Sequence, residues 1–230
     1  MAEDWGTQTD IEVIDSLLDV DGKFIVDAGC GDGELCRHLA GRGARVFGIE
    51  PHPLQAEKNA RAPVVANVMF AQAGAAKIPV EPNSVDGVVL KNSLHHMYAL
   101  DYENIFNEIA RVLKMSGFLC IVEPIANGTY QHVMELFHDE TEVRLVAYNA
   151  MVRYANPLFG SMREVYYDTD TTYKTFDSYA RRFEELPYNN YAGEIRQTEV
   201  EARFKACENS YGTYTLTQPM RANFYTQLKH

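Results

Sequence analysis

Short apolar runs recur through the first half of the chain, and turns and amphipathic segments separate them. Short apolar runs between turns are typical of buried strands, whereas apolar residues three or four positions apart indicate helices. The pattern predicts helices at residues 11–18, 34–40, 54–60 and 102–113, and strands at residues 24–26, 44–49, 68–71, 85–90 and 118–122. Strands that alternate with helices favour a mostly parallel sheet with right-handed crossovers.

This alternation ends after Pro124. The remaining pattern predicts helix at 128–160, short ambiguous strands in an aromatic-rich segment at 161–191, a charged helix at 194–207, and closing strands at 214–216 and 222–227. Pro219 lies between the two closing strands, where it is expected to interrupt pairing. We therefore predict an α/β fold with a mostly parallel seven-stranded sheet and helices on both faces.

The same interpretation divides the chain into three parts. Residues 1–127 form the core, residues 128–191 form a helical and aromatic lid inserted after strand five, and residues 192–230 close the core. Function commonly varies in insertions of this kind, so we expect this predicted lid to contact the substrate.

Composition narrows the class of function. The chain has 21 basic and 32 acidic residues and a net charge of -11. A negative field repels phosphate backbones and anionic membranes, so neither a nucleic-acid nor a membrane partner is expected. The four cysteines show no disulfide framework and no metal-binding spacing, and Met1–Asp10 does not resemble a signal peptide. We predict a cytoplasmic protein without a metal site; the sequence leaves the oligomeric state open.

A glycine-rich loop follows the first predicted strand, at residues 26–33, Val-Asp-Ala-Gly-Cys-Gly-Asp-Gly. Its Gly-x-Gly-x-Gly spacing differs from the dinucleotide fingerprint Gly-x-Gly-x-x-Gly, because Glu34 stands where the third glycine belongs. A carboxylate at the start of a helix suits the helix dipole but repels a pyrophosphate. The loop therefore favours a cofactor without a diphosphate.

Polar residues gather at the carboxyl ends of the predicted strands, where ligands bind in open parallel sheets. These ends are Asp27, Glu50, residues 72–75, residues 91–96 and Glu123. Glu50 ends the second strand, and an acidic residue there can accept hydrogen bonds from both hydroxyls of a ribose. Nicotinamide enzymes place an acid similarly, so Glu50 by itself does not distinguish the two kinds of cofactor.

Together with the glycine loop, three later segments resemble the motifs of class I S-adenosylmethionine-dependent methyltransferases, in particular the type 11 group. The three segments are residues 76–89, 92–96 and 108–118, and the resemblance extends in order over residues 20–124. It implies a Rossmann-like fold. It also implies transfer of the methyl group of S-adenosylmethionine to a small-molecule acceptor, with S-adenosylhomocysteine as product.

The resemblance also implies roles for individual residues. The implied cofactor-binding residues are Asp27, Gly29, Cys30, Gly31, Glu50, Pro51, Gly74, Ala75 and Asn92, and the helix at 11–18 would cap their site. Asp27 would orient the loop or reach the methionine amino group through water, and the Asn92 carbonyl would hold the ammonium. Gly74 is a departure, because the family often has an aspartate there that bonds the adenine amino group. The Ala75 backbone N–H would still contact the ring.

His95 and His96 follow the fourth strand, beside the expected methyl group. A histidine of near-neutral pKa can take a proton from a nucleophile, although either ring can instead simply shape the pocket. Methyl transfer can also be accelerated by positioning alone, without a base.

In the predicted lid, Tyr148, Arg153 and Tyr154 are the candidate acceptor-binding residues. Aromatic faces attract a sulfonium and an arginine clamps a carboxylate, but such aromatics are more often core and such arginines more often solvated. Two other functions stay open: a nicotinamide-dependent oxidoreductase, which Glu34 and the later motifs disfavour, and a non-catalytic cofactor-binding partner, which the intact loop disfavours.

Overall fold

The computed structural model describes residues 3–185, 191 and 193–229, and its strands form one mixed sheet. The strands are β1 (Glu3–Thr7), β2 (Phe24–Ala28), β3 (Arg45–Ile49), β4 (Val68–Ala71), β5 (Val85–Lys91), β6 (Leu113–Pro124), β7 (Phe159–Tyr173) and β8 (Tyr214–Leu228). Their spatial order is β1-β7-β8-β6-β5-β2-β3-β4. Strands β2 to β6 run parallel to one another, and β8 pairs antiparallel with both β6 and β7.

Helices cover both faces of this sheet. They are α1 (Asp10–Leu17), α2 (Glu34–Gly41), α3 (Pro53–Arg61), α4 (Tyr102–Val112), α5 (Gly128–Met134), α6 (Thr141–Ala150), α7 (Asn156–Leu158), α8 (Phe176–Glu184) and α9 (Thr198–Lys205). None of the helices in the described part of the chain is long and apolar enough to cross a membrane.

The core lies on both sides of the parallel strands, because successive side chains of a strand point to opposite faces. Val26 and Val88 pack with Phe106 of α4 in one apolar cluster. Their neighbours Ile25 and Val89 pack on the other face with residues of α1 and α2. Burial on both faces explains why these strands appear in the sequence as continuous apolar runs.

The α/β fold class is confirmed, but the sheet has eight strands where seven were predicted. The two predicted closing strands are one strand, β8. Pairing of β8 with β6 stops at Met220, so Pro219 has a strand neighbour only on the β7 side, a position that tolerates proline. The eighth strand is β1, in a segment for which no strand was predicted, and β7 is one long strand where short, ambiguous strands were expected.

The predicted lid is not a single unit in the structure. Residues 128–158 are helical, broken by a link between α5 and α6, but Phe159–Tyr173 forms β7 of the main sheet. Helices α5, α8 and α9 pack around Tyr179 and Phe204 in a third apolar cluster beside the sheet. Residues 186–190 of the predicted lid lie outside the described residues, as do residues 1, 2, 192 and 230 of the other two parts.

Candidate active site

A cavity of about 820 Å³ opens at the carboxyl ends of β2, β3 and β5, the edge that the sequence singled out. Eight of the nine predicted cofactor residues line it: Asp27, Gly29, Cys30, Gly31, Glu50, Pro51, Gly74 and Asn92. The ninth, Ala75, is buried in the apolar core next to Gly74 and does not line the cavity. The structure therefore brings the predicted cofactor residues together at one place, while their contact with a cofactor stays a prediction.

The glycine loop passes close to the segment that follows β5. Gly29 has a φ of +80°, and a Cβ built on it would lie 2.6 Å from the Cβ of Ser93. The Ser93 hydroxyl donates a hydrogen bond of 2.8 Å to the carbonyl of Ala28, which holds the two segments together. Gly31 also has a positive φ, +52°, but a Cβ there would meet nothing within 4 Å. Both packing and backbone conformation therefore favour glycine at position 29, whereas only the backbone conformation favours it at position 31.

Most N–H groups of this loop already have partners within the protein. The N–H groups of Gly29 and Cys30 both donate to the carbonyl of Ile49, at 2.9 and 3.0 Å. The N–H of Gly31 donates to Oε2 of Glu50 at 3.0 Å. Oε1 of Glu50 accepts the N–H of His52 at 2.9 Å. Each carboxylate oxygen keeps a second lone pair, so Glu50 can still accept hydrogen bonds from a ligand in the cavity.

Asp27 lies at the floor of the cavity, where its residue is only 2% exposed. Its Oδ2 accepts a hydrogen bond from the Cys36 thiol at 3.2 Å. Burial raises the pKa of Asp27 to about 6, because the charged carboxylate loses its hydration, and the bond from Cys36 opposes this effect. The protein thus holds a carboxyl group whose negative charge is destabilised and which a cationic ligand would favour.

The start of α1 contacts the cavity through Asp10. Oδ2 of Asp10 is 3.3 Å from the side-chain nitrogen of Asn92 and 3.7 Å from Nζ of Lys91, and both partners line the cavity. Tyr167 of β7 donates its hydroxyl to the other oxygen at 2.8 Å. Asn92 itself has a φ of +52°, which turns the chain sharply at the end of β5. The first helix thus contacts two residues that line the cavity through its first residue, while its capping role stays a prediction.

His95 and His96 lie in a short helical turn after β5, and they differ in environment. His95 is buried, and its Nδ1 is hydrogen-bonded to Oε2 of Glu123 at the end of β6. Oε1 of Glu123 accepts the N–H groups of Ser93 and Leu94, at 3.0 and 2.8 Å. His96 lines the cavity and its side chain is 59% exposed. Of the two predicted catalytic residues, only His96 lines the cavity.

The pKa values of the two histidines shift in opposite directions. Burial lowers the pKa of His95, but the hydrogen bonds that its ring donates to the carboxylates of Glu123 and Glu140 outweigh this effect and raise the pKa to about 9. Burial and the neighbouring charge of His95 lower the pKa of His96. The two rings therefore favour different protonation states near neutral pH.

Glu140 connects this region to the helical segment after β6. Its Oε1 is 2.8 Å from Nε2 of His138, 3.6 Å from Nε2 of His95 and 3.8 Å from Nδ1 of His96. Its Oε2 accepts a hydrogen bond from Arg144 at 2.6 Å. One buried carboxylate thus joins three imidazole rings and a guanidinium.

The predicted acceptor residues Tyr148, Arg153 and Tyr154 do not line the cavity. The Tyr148 ring lies 3.8 Å from the guanidinium of Arg221, and Tyr154 packs over Phe106 of α4. Arg153 is exposed over the Tyr154 ring. The end of α6 and the turn after it pack against α4 and β8, so the prediction that these three side chains face the acceptor is not supported by their positions.

Other residues of the same segment do reach the cavity, and the sequence reasoning missed them. They are Met134, His138, Glu140 and Phe183. A usable signal was the run His138-Asp139-Glu140, a charged link between two apolar helical stretches. Arg144 of the same segment donates hydrogen bonds to Glu140 and Gln131, at 2.6 and 2.8 Å.

Comparison with known proteins shows which protein family the chain resembles. Residues 26–121 match the family model described as a methyltransferase domain. These residues are therefore similar to a methyltransferase domain. The matched residues run from β2 almost to the end of β6 and include the whole glycine loop. The expected resemblance to the type 11 methyltransferases is thereby confirmed.

Individual relatives agree with this assignment. The chain is similar to the uncharacterized methyltransferase Mb3374 of Mycobacterium bovis, 34% identical over 113 residues, or 48% of this chain and 44% of the relative. It is 23% identical to an uncharacterized methyltransferase of Geobacillus thermodenitrificans over 68% of this chain and 67% of the relative. The chain thus spans less than half the length of the first of these relatives.

The YcgJ protein of Bacillus subtilis has a similar structure, with a TM-score of 0.66 and 21% identity. The likeness covers 95% of this chain and 97% of that one. It confirms the fold of the chain, including the part beyond residues 26–121.

Proposed function

We propose that the cavity binds S-adenosylmethionine and that the protein transfers its methyl group to a small-molecule acceptor. The observation that supports this most is the charge of the cavity. Among the described residues, one lysine lines the cavity, Lys91, against six carboxyl residues: Asp27, Asp32, Glu34, Glu50, Asp101 and Glu140. S-adenosylmethionine carries a sulfonium and an ammonium beside a single carboxylate, whereas the diphosphate of a nicotinamide cofactor would be repelled.

The hydrogen bonds of the glycine loop support the same choice. A loop that binds a diphosphate presents free backbone N–H groups to the phosphate oxygens. Here the N–H groups of Gly29, Cys30 and Gly31 already donate to Ile49 and Glu50. Glu34 at the start of α2 adds a negative charge where a phosphate would lie. We therefore favour S-adenosylmethionine over a nicotinamide cofactor.

Within this proposal, the roles follow from position. Glu50 accepts the ribose hydroxyls, the segment of Gly74 and Ala75 contacts the adenine, and Asp27 and the Asn92 carbonyl face the methionine ammonium. When bound, the cofactor supplies an electrophilic methyl group, which the nucleophilic atom of the acceptor takes by in-line displacement as the carbon–sulfur bond breaks. The protein contributes orientation and exclusion of water, which can supply much of the acceleration.

The acceptor is proposed to bind at the end of the cavity formed by Met134, His138, Phe183 and His96. This end combines apolar side chains with imidazoles, as small-molecule sites commonly do. The net charge of -11 supports a small acceptor rather than a nucleic acid. All four cysteines are free, which supports the proposed cytoplasmic location.

Calorimetric titration with S-adenosylhomocysteine, with NAD as the control, tests the cofactor. We expect micromolar binding of S-adenosylhomocysteine and no heat from NAD. Binding of NAD alone would refute the proposal and support an oxidoreductase. If S-adenosylhomocysteine binds, incubation with labelled S-adenosylmethionine and a metabolite pool tests turnover; binding without any transfer of label would support a non-catalytic role.

A further inference from the structure

The acceptor end of the cavity holds a cluster of nitrogen and oxygen atoms that converge on one point. Nε2 of His95, Nδ1 of His96 and a carboxylate oxygen of Glu140 all lie within 4.8 Å of one another. Nε2 of His138 lies 2.8 Å from the same oxygen of Glu140. Three imidazoles from two different segments of the chain thus surround one carboxylate oxygen at the wall of the cavity.

These separations suit a shared metal ion. Ligand atoms that hold one ion at about 2.0–2.1 Å in tetrahedral geometry lie about 3.3 Å apart. The distances from Oε1 of Glu140 to the nitrogens of His95 and His96, 3.6 and 3.8 Å, are slightly longer than that value. An ion can therefore be placed between these atoms with only small movements of the side chains.

The remote atoms of the ligands are also fixed, as the partners of metal ligands commonly are. Nδ1 of His95 is hydrogen-bonded to Glu123, so its Nε2 is directed towards the cluster. Nδ1 of His138, the hydrogen-bond partner of Glu140, is 2.6 Å from the hydroxyl of Tyr191. The second oxygen of Glu140 is held by Arg144 at 2.6 Å. An ordinary ion pair does not need this set of outer contacts, whereas a metal site does.

We propose that this end of the cavity binds one divalent transition-metal ion through His95, His96 and Glu140, with His138 as a hydrogen-bond partner of Glu140. Two imidazoles and one carboxylate suit Zn²⁺ and its neighbours rather than Mg²⁺ or Ca²⁺, which prefer oxygen ligands. His96, His138 and Glu140 line the cavity, so the ion faces the space in which we propose that the acceptor binds. The sequence prediction of no metal site rested on cysteine spacing, which does not detect ligands of this kind.

Titration of the chelator-treated, re-dialysed full chain with Co²⁺ and with Zn²⁺ tests the site. We expect one equivalent to bind, with visible absorption bands of four- or five-coordinate Co²⁺ that Zn²⁺ abolishes. His96→Ala should weaken binding by roughly tenfold or more, because it removes a ligand while its exposed side chain leaves the fold intact. His132→Ala is the matched control, because His132 is an exposed histidine of α5 outside the cluster.

Two outcomes would overturn this inference: no stoichiometric binding by the wild-type chain, or equal metal affinity of the wild type and His96→Ala. Either result would mean that the cluster is a network of hydrogen bonds and ion pairs only. The role of the ion beside the acceptor rests on the proposed function, but the metal titration does not depend on that function. Titration of the metal-free chain with S-adenosylhomocysteine reports on the cofactor separately, so the two failures are distinguishable.

Discussion

Replacement of Asp27 by asparagine should stabilise the ligand-free protein, and more so at higher pH. The buried carboxyl has a pKa of about 6, against 3.8 for an ordinary aspartate. A raised pKa means that the folded state binds an extra proton between these two values, so stability is highest below 3.8 and falls as the pH rises through 6. At about 1.4 kcal/mol for each pKa unit, the full loss is about 3 kcal/mol at pH 8.

The asparagine variant cannot ionise, and its side-chain oxygen can still accept the hydrogen bond from Cys36. The stability difference between Asp27→Asn and the wild type should therefore grow by about 1.4 kcal/mol between pH 5 and pH 8, whatever constant offset the substitution adds. Urea denaturation followed by circular dichroism at pH 5, 6, 7 and 8 measures this difference. Parallel stability curves for the two proteins would refute the argument from burial.

The same variant also separates stability from binding. Under the proposed function, the charge of Asp27 faces the methionine ammonium, so Asp27→Asn should bind S-adenosylhomocysteine more weakly although it is more stable. A conflict between stability and ligand binding is common where a site keeps a destabilised group for function. Unchanged affinity in the variant would remove Asp27 from the cofactor site.

Three further variants test other parts of the site. Glu50→Ala should weaken S-adenosylhomocysteine binding by about 1.5–3 kcal/mol, or about 10- to 150-fold by calorimetry, and unchanged affinity would exclude the ribose contact. Gly74→Asp should tighten S-adenosylhomocysteine binding by about 0.5–1.5 kcal/mol in the same assay, because the new carboxyl can accept a hydrogen bond from the adenine amino group. A Cβ at this position meets nothing within 4 Å, so the side chain has room. Unchanged affinity would contradict the placement of the adenine. Gly29→Ala should lower the free energy of unfolding by about 1–3 kcal/mol more than Gly22→Ala does. Both glycines have a positive φ, but only a Cβ at Gly29 would meet Ser93. Equal losses of stability in urea denaturation would argue against that close contact.

The buried centre of the sheet is well predicted from the sequence. Strand β5 and helix α4 differ from their predicted bounds by one residue. These elements have strong periodic signals because their side chains are buried on one or both faces. The cofactor side of the cavity could be predicted for the same reason, since it consists of the ends of these strands.

Strands β1 and β7 lack such a signal. Residues Gly160–Arg163 of β7 are exposed, and its later part contains the polar run Asp168–Thr172. Strand β1 is likewise half-exposed, at the edge of the sheet. What makes both segments strands is pairing with residues far away in the chain, and a local pattern does not contain that information.

The three candidate acceptor residues do not line the cavity, and the reason is related. Tyr148 and Tyr154 were chosen by residue type, but the packing of their segment against α4 and Arg221 decides which way they point. His138 and Glu140 reach the cavity because they lie in the link between α5 and α6, which faces the glycine loop. The direction of a link between helices depends on tertiary packing and cannot be derived from helical periodicity.

The position of β1 has a consequence for how the protein is made. Its parallel partner is β7, and the carboxylate of Glu3 forms two hydrogen bonds of 2.7 Å with Arg163, 160 residues further along the chain. β7 in turn joins the parallel strands only through β8. On the ribosome, strands β2 to β6 can assemble from neighbouring segments, but β1 must wait until residues 214–228 have emerged. β1 is synthesised before β2 to β8 but is therefore fixed after them, and Asp10, which follows β1, is among the last groups to take its place beside the cavity.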